Sequence, residues 1–543
     1  MNDDENKVVM EDLQTPLINA EDTLSNAPVV LDEEQGTDAG DTLRIVVMDE
    51  VREKGEQQPN QYRDAPFAIL FVLHLIAISF FAFAWGLPAF FSSESSSTAD
   101  NGTTDDNLNL AGLLGLCFLS TLAAIGILAG TVAFMIRFAE ILIQFSLISS
   151  ISFSLVFVII FAINGMVGPA VLYALLFALG AGYACCVWRR IPFARANLVT
   201  ATTAIKTNLG IMGVAFGLVA VLMVWSFLWV LSYGGIYMHT RTCHQDGDCD
   251  EGGLGQFVVV LYLLSFYWTS EVIKNVLVVT VAGVVGTWWF APNEASSFCS
   301  TAIVDSVSRA TSYSFGSICF GSLLMAIIQV LHQMINQARQ QGRGNDLLLC
   351  ILECLVSCLE SIAEYFNKFA CIYIGLYGYD YLTAGKKVMQ LFANRGWTTI
   401  INDQLVYRVL NLMTLVVAGL TGCVGMLIAY CIPGWVDSLG DSRYIVAFLL
   451  PFVIGAALAH VVVSLDDAER PLEFCTGRTT NYSFVFLPCI APAFILQLGV
   501  VASATDTVIV CFAESPNEFQ ANHPELSQHM LEAWRQMYPS LGF

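Results

Sequence analysis

The stretch from Phe257 to Phe290, FVVVLYLLSFYWTSEVIKNVLVVTVAGVVGTWWF, constrains this chain more than any other. Crossing the hydrocarbon core of a bilayer takes about 20 residues, and this run is longer and almost wholly apolar. Its middle nevertheless holds Trp268, Glu271, Lys274 and Asn275. On a helix at about 100° per residue, Trp268, Glu271 and Asn275 fall within one narrow face. Lys274 lies one turn from Glu271, placed to pair with it. An ionisable group at membrane depth costs about 2.5–3.5 kcal/mol, so such groups face a bundle interior or a solute pathway. The plain alternative is a Glu271–Lys274 pair that only locks helices together.

Repeated runs of this kind make the chain an all-α, polytopic transmembrane bundle. Only 13% of its residues are charged and 56% are hydrophobic, where a soluble domain averages about 25% charged. The net charge of −22 is unevenly placed. Residues 1–64 hold 17 Asp and Glu against 5 Lys and Arg, a balance of −12. That stretch is poor in aromatics and reads as a disordered acidic tail with no cleavable signal peptide. Its sign excludes nucleic acid as a partner and suits solubility, trafficking or regulation.

Ten apolar runs read as spans: Pro66–Phe91, Leu110–Met135, Ile141–Ile163, Val167–Val187, Gly210–Tyr233, the run from Phe257, Ser312–Leu331, Val406–Ile432, Tyr444–Leu465 and Phe484–Ala504. Arg189, Arg190, Arg195 and Lys206 form the clearest basic cluster between spans, and the positive-inside rule places it in the cytosol. Counting back four crossings puts the N-terminal tail in the cytosol as well. The same count puts Asn101, in an Asn-Gly-Thr acceptor, outside, and Asn481, in Asn-Tyr-Ser, is a second acceptor. Cys243 and Cys249 share a short polar loop that this count also places outside, where they form a disulfide or stay free thiols. The nearby His239 and His244 fit no zinc spacing.

Residues 334–406 resist the count. Arg339, Arg343, Lys368, Lys386, Lys387 and Arg395 favour the cytosol, whereas the number of crossings places them outside. The apolar, aromatic stretch Tyr365–Tyr381 is expected to dip into or cross the bilayer. Cys350, Cys354 and Cys358 make a helical stripe that reads as packing before it reads as a metal site. Trp288 and Trp289 read as an interfacial aromatic belt. The domain organisation is then a tail over 1–64, a membrane domain over 65–512 and a cytosolic C-terminal tail over 513–543.

No phosphate-binding loop, dinucleotide fingerprint, HExxH or GxSxG pattern is present, so the chain reads as a non-enzyme without cofactor or metal. Seven dispersed histidines form no catalytic set; His460, inside an apolar run, is at most a proton relay. What remains suits passive or secondary transport. A quaternary ammonium is held by Trp and Tyr faces and donates no hydrogen bond, so an aromatic cage with one carboxylate suits it. Tyr262, Tyr267, Trp268, Glu271, Tyr373 and Tyr377 are the available pieces.

The segments YWTSEVIKNVLVVTVAGVVGTWWF (Tyr267–Phe290), TSYSFGSICFGSLLMAIIQ (Thr311–Gln329), CLESIAEYFNKFACIYIGLYG (Cys358–Gly378) and DTVIVCFAESP (Asp506–Pro516), followed by NHPEL (Asn522–Leu526), occur in this order. Together they resemble the choline transporter-like family of solute carriers. Ser515 stands where that family usually has an acidic residue, and the loop after the first span is short for it. The resemblance implies a carrier of choline or a related amine such as ethanolamine, in the plasma membrane or an organelle membrane, working by facilitated diffusion or exchange against protons. From their shared helix face or their place in these segments, the expected site is one of alternating access near the midplane, in which Trp268 and Tyr373 or Tyr377 cage the ammonium. Glu271 supplies counter-charge or carries the proton, and Asn275 or Asn367 binds the hydroxyl. The competing readings are a non-transporting scaffold or lipid-handling protein, a carrier of another organic cation, and an ion channel.

Overall fold

The apolar run around Glu271 is one uninterrupted helix, Gly253–Phe290, and the bundle is built around it. In the computed structural model 89% of its most apolar window is buried, against 6–44% for the six other helices among the described residues that are long and apolar enough to cross a membrane. The structure describes residues 59–88, 110–240, 242–243, 249–250, 253–340, 346–394, 405–433, 443–452 and 499–537. The tail through residue 58, Asn101, Asn481 and His460 lie outside the described residues.

In chain order the helices are α1 (Ala65–Phe81, continued by a π-turn over Ala82–Gly86), α2 (Leu110–Ile163), α3 (Val167–Val187), α4 (Ile191–Thr207) and α5 (Gly210–Thr240). The central helix Gly253–Phe290 is α6, followed by α7 (Thr301–Thr311), α8 (Phe315–Gln340), α9 (Asp346–Tyr377) and α10 (Tyr381–Asn394). Then come α11 (Leu405–Cys431), α12 (Arg443–Phe452), α13 (Val500–Glu514), α14 (Pro516–Asn522) and α15 (Pro524–Met537). Among the described residues the one sheet is a two-residue antiparallel pairing of β1 (Thr242–Cys243) with β2 (Cys249–Asp250). The fold is an all-α polytopic bundle, as expected. The two runs Leu110–Met135 and Ile141–Ile163 are arms of the single element α2, joined by a break at Phe138 (φ −120°, ψ 23°) with no loop between them.

Contacts gather many landmarks at the Phe290 end of α6. Asn208, which caps α4, donates to the Ala295 carbonyl at 2.9 Å and accepts from Ser300 Oγ at 3.1 Å. Asn522 Nδ2 donates to the carbonyls of Trp289 and Phe290 at 2.9 and 3.1 Å. His523 Nε2 reaches the Trp288 carbonyl at 3.0 Å. The last turn of α6 has carbonyls with no intrahelical partner, and α14 and its flank satisfy three of them. Trp289 stacks on Phe519 at 3.9 Å and Trp288 on His523 at 4.0 Å. Both tryptophans are buried, at 3% and 0% exposure. They are core residues beneath the C-terminal helices and not an interfacial belt, which overturns that expectation.

The start of α1 belongs to the same end. Arg63 N–H donates to the Tyr313 carbonyl at 3.0 Å. Asp64 takes the left-handed conformation (φ 49°) and its carboxylate accepts from Ser317 Oγ at 2.6 Å and from Tyr381 N–H at 3.2 Å. Gly316 leaves room for this segment, since a Cβ there would strike the Arg63 and Asp64 carbonyls. Thus α1, α8 and α10 begin, and α9 finishes, beside one another.

This arrangement accounts for the conflict over residues 334–406. α8 leaves the Phe290 end and α9 returns to it, as an antiparallel pair. His332 Nδ1 pairs with Glu360 Oε2 at 2.8 Å, and farther out Arg339 pairs with Glu353. Lys368 pairs with Asp506 on α13 at 3.2 Å. Steps forward along α8 match steps back along α9. The charges that mask α9 in a hydropathy count are thus matched by neighbours. The Tyr365–Tyr381 stretch holds the C-terminal end of that returning helix, Tyr365–Tyr377, and its link to α10, and it packs on α6, where Gly375 meets the Val279 carbonyl. At the opposite end Gly86 and Gly235 let α1 and α5 cross backbone to backbone.

Candidate functional site

The three residues expected on one face of α6 do share it, and all three reach α8. Trp268 Nε1 donates to the Cys319 carbonyl at 3.0 Å. Glu271 Oε1 accepts from Gln329 Nε2 at 2.9 Å. Asn275 Nδ2 donates to Ser322 Oγ at 2.9 Å. Asn367 on α9 completes the seam, its Nδ2 3.3 Å from Asn275 Oδ1. Glu271, Asn275 and Asn367 are 6%, 1% and 4% exposed, so this is a polar seam at the middle of a buried helix.

Glu271 is only partly compensated. Lys274 Nζ lies 3.6 Å from Glu271 Oε2, an ion pair too long to be a hydrogen bond. Glu271 Oε2 is buried with no hydrogen-bond partner. A buried carboxylate oxygen in that condition is costly and calls for an explanation.

The expected cage is divided. Trp268 packs its ring against α1: His74 stacks on it at 5.1 Å and Phe71 meets it edge-on at 5.1 Å. His74 also shares a 2.7 Å hydrogen bond with Ser265. Tyr373 and Tyr377 instead lie near the C-terminal end of α9. Tyr377 OH donates to Glu514 Oε2 at 2.6 Å and Tyr373 OH to Glu514 Oε1 at 3.3 Å. Tyr379 joins them, with ring centroids 6.3 Å from Tyr373 and 6.2 Å from Tyr377. Ten residues of α9 separate Asn367 from Tyr377, about 15 Å of helix rise. Tyr262 and Tyr267 lie in the outer half of α6, where Tyr262 OH shares a 2.6 Å hydrogen bond with Ser232.

The structure thus holds two groups: a seam of Glu271, Asn275 and Asn367, and a tyrosine cluster around Glu514. Sequence reasoning missed Glu514, Tyr379, Gln329 and Ser322. Glu514 stands within the segment DTVIVCFAESP, and its placement at the end of an apolar run was the available signal. Among the described residues no group of three His, Cys, Asp or Glu is arranged to hold a metal ion.

A family model described as plasma-membrane choline transporter matches residues 171–468, more than half of the chain. The chain belongs to the choline transporter-like family. The matched stretch contains the whole seam together with Tyr373 and Tyr377, whereas Glu514 lies beyond it. Among relatives, Protein PNS1 of Mycosarcoma maydis is 26% identical over 511 residues, covering 90% of this chain and 86% of the relative. Protein PNS1 of Gibberella zeae is 28% identical over 364 residues, 64% of this chain and 60% of the relative. Protein PNS1 of Saccharomyces cerevisiae is 31% identical over 254 residues, 44% of this chain and 47% of the relative. The match thus spans most of the first relative but only about half to three-fifths of the others. A choline transporter-like, multi-pass membrane protein is the identity these matches support.

Proposed function

We propose that this chain is a carrier of choline or a related organic ammonium, ethanolamine included. In this reading it works by alternating access, through facilitated diffusion or exchange against protons. The observation that carries the reading is Glu271: a carboxylate buried at the middle of the central helix, with one oxygen left without a hydrogen bond. Ionisable groups at that depth are retained where they serve a solute or proton pathway. In this reading Glu271 supplies the counter-charge or carries the exchanged proton, and Asn275 or Asn367 takes the solute hydroxyl. Tyr373 and Tyr377 line the inner part of the path. Trp268 contributes from the α1 side, in a conformation that releases it from His74.

The proposal extends to orientation. Lys206, in the last turn of α4, lies beside Asn208, which is tied to the Phe290 end, and the positive-inside rule applied to that basic residue puts that end in the cytosol. Both chain termini then face the cytosol, and Asn101, as a glycosylation acceptor, and the Cys243–Cys249 loop lie outside. The plasma membrane is the proposed location.

The second reading is a scaffold or lipid-handling protein, favoured by the Glu271–Lys274 ion pair at 3.6 Å. Uptake of radiolabelled choline into liposomes holding the purified protein, with and without a pH gradient, separates the two. A carrier gives saturable uptake that cold choline and ethanolamine reduce, and Glu271→Gln lowers it at least tenfold. The charge-reversed pair Glu271→Lys with Lys274→Glu keeps the ion pair but moves the carboxylate. Uptake at the wild-type rate by that double variant would refute the transport role of Glu271. No uptake above empty liposomes by folded protein would refute the carrier.

A further inference from the structure

We infer that the tyrosine cluster at the inner end of α9 is itself a binding site for an organic ammonium, and that the Lys387 ammonium is its tethered occupant when no solute is bound. The inference rests on the amine-carrier reading and adds a second station to it, about 15 Å along α9 from Asn367.

Three tyrosines and a carboxylate meet there. Tyr373, Tyr377 and Tyr379 are 2%, 1% and 7% exposed, and the centroids of the first two lie 4.9 Å apart. The hydroxyls of Tyr373 and Tyr377 donate to the two oxygens of Glu514. This fixes the rings about the carboxylate without neutralising its charge. Rings of this kind beside an anion attract a cation through the ring quadrupole, more strongly where water is excluded. A quaternary ammonium asks for nothing else, since it has no proton to donate.

The site already receives an ammonium in this structure. Lys387 Nζ lies 4.8 Å from the centroid of the Tyr379 ring. Lys387 is half-buried on α10, whereas its neighbour Lys386 is exposed. Glu514 from α13 and Lys387 from α10 are charged groups that reach the cluster, and Asp380 lies in the α9–α10 link next to Tyr379. The Asp380 carboxylate accepts from Thr383 N–H at 3.1 Å. A solute cation that settles over the Tyr379 ring takes the place Lys387 holds there. Because Lys387 is carried by α10, whose first residue is held by Asp64 at the start of α1, displacement loosens α10 from the tyrosine cluster. Solute arrival is thereby coupled to an element that touches α1 and α8.

The test is equilibrium binding of radiolabelled choline to the purified full chain, with tetramethylammonium as the displacing probe because it lacks a hydroxyl. Removing a competing ammonium from a desolvated ring should tighten binding, so Lys387→Gln is expected to bind about tenfold more tightly. Lys387→Arg keeps a cation over the ring and should bind as the wild type does. Glu514→Gln and Tyr379→Leu should each bind at least tenfold more weakly. A gain in affinity cannot come from misfolding, so the Lys387→Gln result stands apart from any loss of stability. Equal affinity of Lys387→Gln and wild type would overturn the tethered occupant. Unchanged binding by Glu514→Gln and Tyr379→Leu would overturn the site while leaving the carrier reading intact. No choline binding by wild type or by any variant would overturn the carrier reading itself, and this inference with it.

Discussion

Substitution of Asn522 tests whether the C-terminal helices hold the inner end of the central helix or merely lie beside it. The Asn522 side chain spends both donor hydrogens on the last carbonyls of α6, at Trp289 and Phe290. A net hydrogen bond contributes about 0.5–1.5 kcal/mol, so Asn522→Ala should cost about 1–3 kcal/mol, more if a carbonyl is left dry. Asn522→Asp keeps the size but replaces the donors with a carboxylate. That carboxylate faces the negative end of a long helix, adding a repulsion of about 0.3–1 kcal/mol. The expected order of stability is therefore wild type, then Ala, then Asp. Apparent melting temperature in detergent reads this order, and limited proteolysis after α13 reads it locally, because freed α14 and α15 become cleavable. An Asp variant as stable as the Ala variant would refute the capping argument, since the carboxylate beside the negative helix end is what should set Asp below Ala. Wild-type stability in both would show that the Trp289–Phe519 and Trp288–His523 stacks hold the segment unaided.

Other expectations follow from close contacts elsewhere. Gly86→Leu should abolish the folded, membrane-inserted protein, because its Cβ strikes the Leu231 carbonyl at the α1–α5 crossing; recovery of monodisperse protein checks it. Asp64→Asn keeps a residue that tolerates the left-handed region but loses the charge at Ser317 and Tyr381, and should cost about 1–2 kcal/mol. Asp64→Val, strained there as well, should be clearly worse in the same melting assay. The β1–β2 register sets Cys243 opposite Cys249, a pairing whose Cα separation suits a disulfide. Two fewer free thiols before than after reduction, with no such difference in Cys243→Ser, is the expected outcome.

What the sequence made legible was local. The angular spacing of Trp268, Glu271 and Asn275 depends only on helix geometry, and all three do reach one neighbour. The partner helix was not legible, because Gln329 and Ser322 become site residues only through the antiparallel course of α6 and α8. Glu514 lies more than 130 residues from the tyrosines it binds, a pairing that no periodicity encodes. Trp288 and Trp289 read the same whether lipid or protein covers them, so the belt expectation failed for want of knowing about α14. The charges of α9 read as exposed for a related reason. Hydropathy charges each of Glu353, Glu360 and Lys368 in full, whereas Arg339, His332 and Asp506 stand beside them.

The ends of the bundle are tied together closely enough that one labelling experiment orients all of them. Cys299 is exposed just beyond the Phe290 end of α6, in the link where Asn208 meets Ala295 and Ser300. That end also carries Tyr313, Asp64, Tyr381 and Glu514, each joined to the next through hydrogen bonds or a short turn. A membrane-impermeant maleimide should therefore leave Cys299 unmodified in intact cells and react with it after permeabilisation, with Cys299→Ser as the control that identifies the label. Protection places the tyrosine cluster on the cytosolic side, where it binds a solute on its way out of the inward-facing carrier. Labelling in intact cells would invert every one of these landmarks at once. The basic cluster of α4 would then face outward against the positive-inside rule, and the Tyr379–Lys387 pair would guard the outer mouth of the path.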